Sequence, residues 1–151
     1  QEHRLRAGTE NVAYAVGFGE AAALAARSLA AGESRRQLAL RDQLEHRLAT
    51  LLPGRVHLNG HPVQRLPNTA NLRIDDAPAL ALLADLTDVV VSAGSACHAG
   101  RDEPSAVLTA MGLSDADALT AIRVSLGRWT TAAEVDAACT HLAGATRTDH
   151  P

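Results

Sequence analysis

The sequence contains no lysine: all 14 of its positive side chains are arginine. Chemistry that runs through a lysine amine, a Schiff base above all, is therefore excluded from this chain alone. Aromatic residues are nearly as scarce, with Tyr14, Phe18 and Trp129 the whole set, so the core has to be aliphatic. Two cysteines, Cys97 and Cys139, stand far apart in a chain with no signal-peptide pattern. That argues against a disulfide framework and for free thiols in a reducing cytoplasm, the expected location. No apolar run approaches the roughly 20 residues that span a bilayer. A formal net charge of -3 gives no footprint for nucleic acid or a membrane surface, so a soluble protein is expected. The first residue is Gln1 and the only methionine is Met111, which leads us to expect an upstream segment. A chain of 151 residues suits one domain burying about two-thirds of its unfolded surface.

What is present begins with Arg4-Leu-Arg-Ala-Gly-Thr-Glu-Asn11, ahead of an alanine-rich helix from Val12 to Ala31. Thr9 suits an N-cap, Glu10 the positive end of the helix dipole, and Gly8 a tight turn. With Arg4 and Arg6 nearby, this start reads either as an anion or phosphate site or as an ordinary capped helix with solvated arginines. A second helix, Glu33 to Leu52, gathers leucines near one face. Val56 to Leu58 is a strand, His57 and His61 are surface histidines rather than metal ligands, and Asn68 to Ile74 alternates as a half-buried strand. Asp75-Asp76 offers a cap for a helix over Ala77 to Leu86. Val89 to Val91 predicts a short buried strand, followed by short helices from Pro104 to Met111 and at Ser114. Ala121 to Gly127 alternates again, with Arg123 and Ser125 on the polar face. Thr131-Ala-Ala-Glu134 is a capping box for a last helix that puts Cys139 in the core. The order predicts an α+β layer, a small sheet of three to four strands packed by helices.

Chemistry concentrates at Ser92-Ala-Gly-Ser-Ala-Cys97, where small residues carry a thiol away from the predicted strand. Cys97 reads as a nucleophile displayed on a loop or as a small buried apolar thiol. A rhodanese or phosphatase anion loop needs more than the three residues that separate Cys97 from Arg101. A metal site would need a second ligand pair at zinc spacing, and none exists; metal ligands are therefore assigned to no residue. Arg123, carried on a strand, is either a rigid two-pronged clamp for a carboxylate or a plain surface arginine.

Four segments together resemble the C-terminal part of a cysteine desulfurase: Arg6-Ala-Gly-Thr-Glu-Asn11, Gly94-Ser-Ala-Cys97, Pro104-Ser-Ala-Val-Leu108 with Met111-Gly-Leu113, and Ile122-Arg-Val-Ser-Leu-Gly-Arg-Trp-Thr-Thr131. These are fold-type I enzymes of the class V aminotransferase group that use pyridoxal 5'-phosphate (PLP). His57-Leu-Asn-Gly60 and Gln64-Arg-Leu-Pro-Asn-Thr69 are similar to the related selenocysteine lyases. The resemblance implies that residues 1–151 are the C-terminal small domain and that the large domain with the PLP lysine is absent. It implies that Cys97 takes the substrate sulfur as a persulfide, that Arg123 binds the substrate carboxylate, and that Thr9, with Gly8, reaches the PLP phosphate across a homodimer. L-cysteine or selenocysteine is the implied substrate and a sulfur acceptor protein the partner, iron-sulfur cluster assembly being one destination. The isolated chain is then expected to be inactive. Acting alone it reads as a sulfur carrier on Cys97 or a partner-docking module.

Overall fold

A computed structural model describes residues 7–93 and 103–146. Two compact units divide the chain, Gln1–Glu33 and Ser34–Pro151. The first unit holds α1 (Val12–Ala30), none of whose residues is buried. Asn11, two residues after the predicted Thr9, caps α1: its side chain accepts a hydrogen bond from the Tyr14 N–H at 3.1 Å. Asparagine is among the strongest N-cap residues, and here it stands three positions before the amide it satisfies. Glu10 consequently lies ahead of the cap, and the first turn holds no acidic residue.

The second unit contains, in order, α2 (Glu33–Leu51) from Ser34 onwards, β1 (Val56–Leu58), β2 (Thr69–Ile74), α3 (Ala79–Asp85), β3 (Ser92–Ala93), α4 (Ala106–Ala110), α5 (Asp115–Leu119), β4 (Ala121–Ser125) and α6 (Ala132–Ala145). The strands form one antiparallel sheet in the order β1-β2-β4-β3. The α+β expectation is met. Alternation sorts its two faces: Ala70, Leu72 and Ile74 of β2 and Ile122 and Val124 of β4 are buried, and they join Leu40, Leu44 and Leu48 of α2 and Val135, Cys139 and Leu142 of α6 in one aliphatic cluster. Thr131 and Glu134 form the predicted capping box on α6, and Ser114 Oγ caps α5 by accepting from the Asp117 N–H at 3.1 Å.

Two further local expectations are corrected. Val89–Val91 is not a strand; pairing begins at Ser92, opposite Arg123. In the same register the valines would face residues 124–126, but the chain stands off from β4 there and leaves a groove. Val91 is buried, while Val90 is 98% exposed. Strand propensity lost to the absence of a partner within bonding distance. At α3, Pro78 holds the N-cap position without a side-chain bond. Asp75 instead accepts from Arg55 through its carbonyl and contacts His57 Nε2 at 2.9 Å through Oδ2, while Asp76 adopts a positive φ of 57°.

Candidate functional site

The site is built on the open face of β4. The Leu126 N–H donates to the Asn68 carbonyl at 2.8 Å and the Ile74 N–H to the Thr120 carbonyl at 3.3 Å. Antiparallel pairing alternates, so even-numbered residues of β4 bond towards β2, and Arg123 and Ser125 direct their N–H and C=O towards β3. Arg123 thus pairs with Ser92 through the backbone. Its guanidinium repeats the link, with Nη2 donating to Ser92 Oγ at 3.2 Å. On the other flank its cross-strand neighbour is Asn71, whose Oδ1 accepts from Asn59 Nδ2 at 2.7 Å.

Arg123 is exposed, and among the described residues no carboxylate pairs with it. A guanidinium has five N–H donors and one is engaged here, so a two-pronged face remains for a carboxylate. The anchoring is rigid, because a strand in the body of a sheet holds the Cα of Arg123 and Ser92 restrains its tip. β3 ends at Ala93, four residues before Cys97 in the sequence. Cys97 itself lies outside the described residues, as do Arg4 and Arg6.

The second thiol has the opposite character. Cys139 is fully buried on α6, and its Sγ–H points at the Leu44 carbonyl, 3.6 Å away. Burial first, and the Asp136 charge second, push its pKa up to about 11. A thiol that keeps its proton and meets no solvent is packing material rather than a nucleophile, as the sequence predicted.

In the first unit, Gly8 has a φ of 111° with open space around it. Thr9 is exposed. Because Asn11 performs the capping, the Thr9 hydroxyl is not spent on it; it stands just ahead of the N-terminus of a 19-residue helix, a position that attracts anions.

Two positioning residues were not visible in the sequence. Ser92 was read only as a small loop residue, and its place in alternation with Val91 was the signal available. Arg36 carries no local sequence pattern that marks it out. Its guanidinium donates to the carbonyls of Thr130 at 2.7 Å, Arg128 at 2.9 Å and Gly127 at 3.2 Å. It thereby fixes the turn that follows β4, where Arg128 stacks over Trp129 at 4.4 Å. No short-range pattern reports a contact across some 90 residues.

Comparison with known proteins bears on the family of the chain. Residues 1–138 match the family model described as aminotransferase class V. A cysteine desulfurase of Frankia sp. (strain EuIK1) is 47% identical over 135 residues, 89% of this chain and 32% of that protein. A cysteine desulfurase IscS of Methanosarcina thermophila is 41% identical over 138 residues, 90% of this chain and 33% of that protein. Among solved structures, a NifS-like protein from Rickettsia africae ESF-5 superposes with a TM-score of 0.79 at 32% identity, over 98% of this chain and 38% of that one. The chain spans about a third of the length of the curated relatives it matches.

Proposed function

Because the chain belongs to the class V aminotransferase family, we propose that it is the C-terminal small domain of a cysteine desulfurase. In this reading the intact protein, a cytoplasmic homodimer, takes sulfur from L-cysteine, releases L-alanine and passes the sulfur to an acceptor protein, iron-sulfur cluster assembly being one use. The observation that carries the reading is the open guanidinium of Arg123, tied to Ser92 at the entrance to the Cys97 segment.

Arg123 receives the substrate carboxylate through two parallel N–H donors and so fixes the substrate's orientation. The Cys97 thiolate attacks the substrate sulfur. A bond forms between the two sulfur atoms, the carbon-sulfur bond breaks with its electron pair left on carbon, and that carbon takes a proton. Cys97 is left as a persulfide and the product is L-alanine. PLP, when bound in the intact enzyme, supplies the electron sink for this class of chemistry. The residues of this chain do not make up its site, because a sequence without lysine cannot anchor it covalently. What the chain offers is the uncommitted Thr9 hydroxyl beside Gly8, suited to a phosphate.

Two measurements test the proposal. Treated with a persulfide donor, the 151-residue chain gains the mass of one sulfur atom; Cys139→Ala keeps the gain and Cys97→Ala loses it. In the intact protein, Cys97→Ala abolishes alanine release from L-cysteine, whereas the separate chain releases none at all. Alanine release that survives Cys97→Ala overturns the assignment. Loss of cysteine turnover with selenocysteine turnover intact would place the protein with the lyases instead.

A further inference from the structure

A groove of about 450 Å³ opens on the helix side of the sheet, at the edge of β4 beyond the end of β3. Its floor is apolar, formed by Leu44, Val124, Leu126, Val135 and Ala138, and its rim carries Asp88, Trp129, Glu134 and His141. Each wall includes backbone groups without a ladder partner. By the alternation established for β4, the N–H and C=O of Ser125 point into the gap, and no described residue pairs with them. Across the gap, no backbone group of Asp88, Val89 or Val90 bonds to a described residue, and the Val90 side chain is 98% exposed. Unbonded backbone donors and acceptors on both sides of the groove suit a ligand that carries both kinds of group along its length, which is an extended polypeptide.

The charges specify that ligand further. Asp88 and Glu134 line the groove and no arginine does, the guanidinium of Arg128 being stacked over the rim residue Trp129. Neither carboxylate forms an ion pair with a described residue. Asp88 Oδ2 accepts from the Thr87 hydroxyl at 3.0 Å. Glu134 Oε2 is occupied by the Thr131 N–H and hydroxyl at 2.8 and 2.9 Å. One oxygen of each carboxylate is left over. Trp129, 77% exposed at the rim, supplies the kind of large aromatic surface that anchors interfaces.

We propose that this groove is a strand-docking site: an extended, cationic peptide inserts between the Val89–Val90 backbone and β4, pairs with Ser125, seats one apolar side chain on the floor and directs basic side chains to Asp88 and Glu134. The peptide completes the sheet at the point where β3 stops. This site is separate from the Arg123 face, and the inference stands whether or not the desulfurase reading does.

Trp129 is the only tryptophan in the chain and reports occupancy by its fluorescence. The probe is the blocked pentapeptide Arg-Val-Arg-Val-Arg, titrated into the 151-residue chain. The expected result is a saturable change in Trp129 emission. The same peptide with N-methyl groups on both valines binds at least about tenfold more weakly, and so does the unmodified peptide to Asp88→Arg, each factor corresponding to roughly 1.4 kcal/mol. Asp88 is exposed, so that variant leaves the core alone. A Glu-Val-Glu-Val-Glu peptide binds weakly or not at all. The proposal is overturned if the cationic peptide gives no saturable change, if N-methylation has no effect, or if the acidic peptide binds equally well.

Discussion

A buried thiol in a chain without lysine creates an unusually clean alkaline transition. The ordinary thiol value of 9.0 is pushed up to about 11 at Cys139, with burial as the main cause. A displacement of that size corresponds to roughly 3 kcal/mol in favour of the neutral thiol in the folded state. Below the unfolded pKa the proton is held in both states and stability keeps its full value. Between pH 9 and about 11 the unfolded chain ionises while the folded thiol does not, so stability falls as pH rises and the loss is complete above the folded value. Few other groups blur this interval: there is no lysine, Tyr14 is the only tyrosine, and the comparison with Cys139→Ala subtracts whatever Cys97 contributes. Urea unfolding followed by far-ultraviolet circular dichroism, at steps from pH 8 to pH 11.5, should show the midpoint fall by an amount equivalent to about 2–3 kcal/mol. Cys139→Ala starts lower, because it deletes buried volume, but its stability should be nearly flat over the same range. Equal pH dependence in the two proteins would refute the argument, as would a flat profile in the parent.

If the intact protein is the cysteine desulfurase proposed, Arg123→Ala should raise its KM for L-cysteine about 10–100-fold, the worth of a charge-assisted bond to a carboxylate, with Arg123→Lys recovering only part of it. Leu48→Ala, at a fully buried position, should cost about 2–5 kcal/mol in urea unfolding. Arg36→Ala releases three carbonyls at the turn after β4 and should cost about 1–3 kcal/mol, together with faster proteolysis near Trp129. Hydrogen bonds from the Thr131 backbone and hydroxyl hold the Glu134 pKa below its ordinary value. The cap's contribution is therefore present above the ordinary carboxylate range and lost as pH falls through the lowered folded value. Helix content followed during acid titration should show this loss in the parent and not in Glu134→Gln.

Much of the architecture was legible because it rests on local rules. The alternation of β2 and β4, the capping box at Thr131 and the cap at Ser114 each need only a few neighbouring residues, and the structure contains them all. Features that depended on distant partners were not legible. Val89–Val91 has stronger strand propensity than Ser92–Ala93, but pairing is a contract with β4, and β4 is engaged only by the later pair. Thr9 and Asn11 are both good caps, and the choice between them turned on where the helix begins. Arg36 gave no local signal because its three acceptors are about 90 residues away. For the candidate site, periodicity alone identified Arg123 as presented and Cys139 as buried, whereas the role of Ser92 required the sheet register.

The brevity of β3 links the two surfaces discussed above. Had the valines extended β3 in the same register, Val90 would have paired with Ser125 and closed the groove. Pairing instead begins at Ser92, so that the residue bonded to Arg123 lies five positions from the thiol in sequence. That late start leaves the stretch before it unbonded beside β4. Val91 is the joint between these regions, buried in the core immediately before Ser92. A peptide that orders the Val89–Val90 backbone would therefore restrain the strand that holds the Arg123 guanidinium, and Asp88→Arg should remove that influence while leaving the Arg123–Ser92 pair in place.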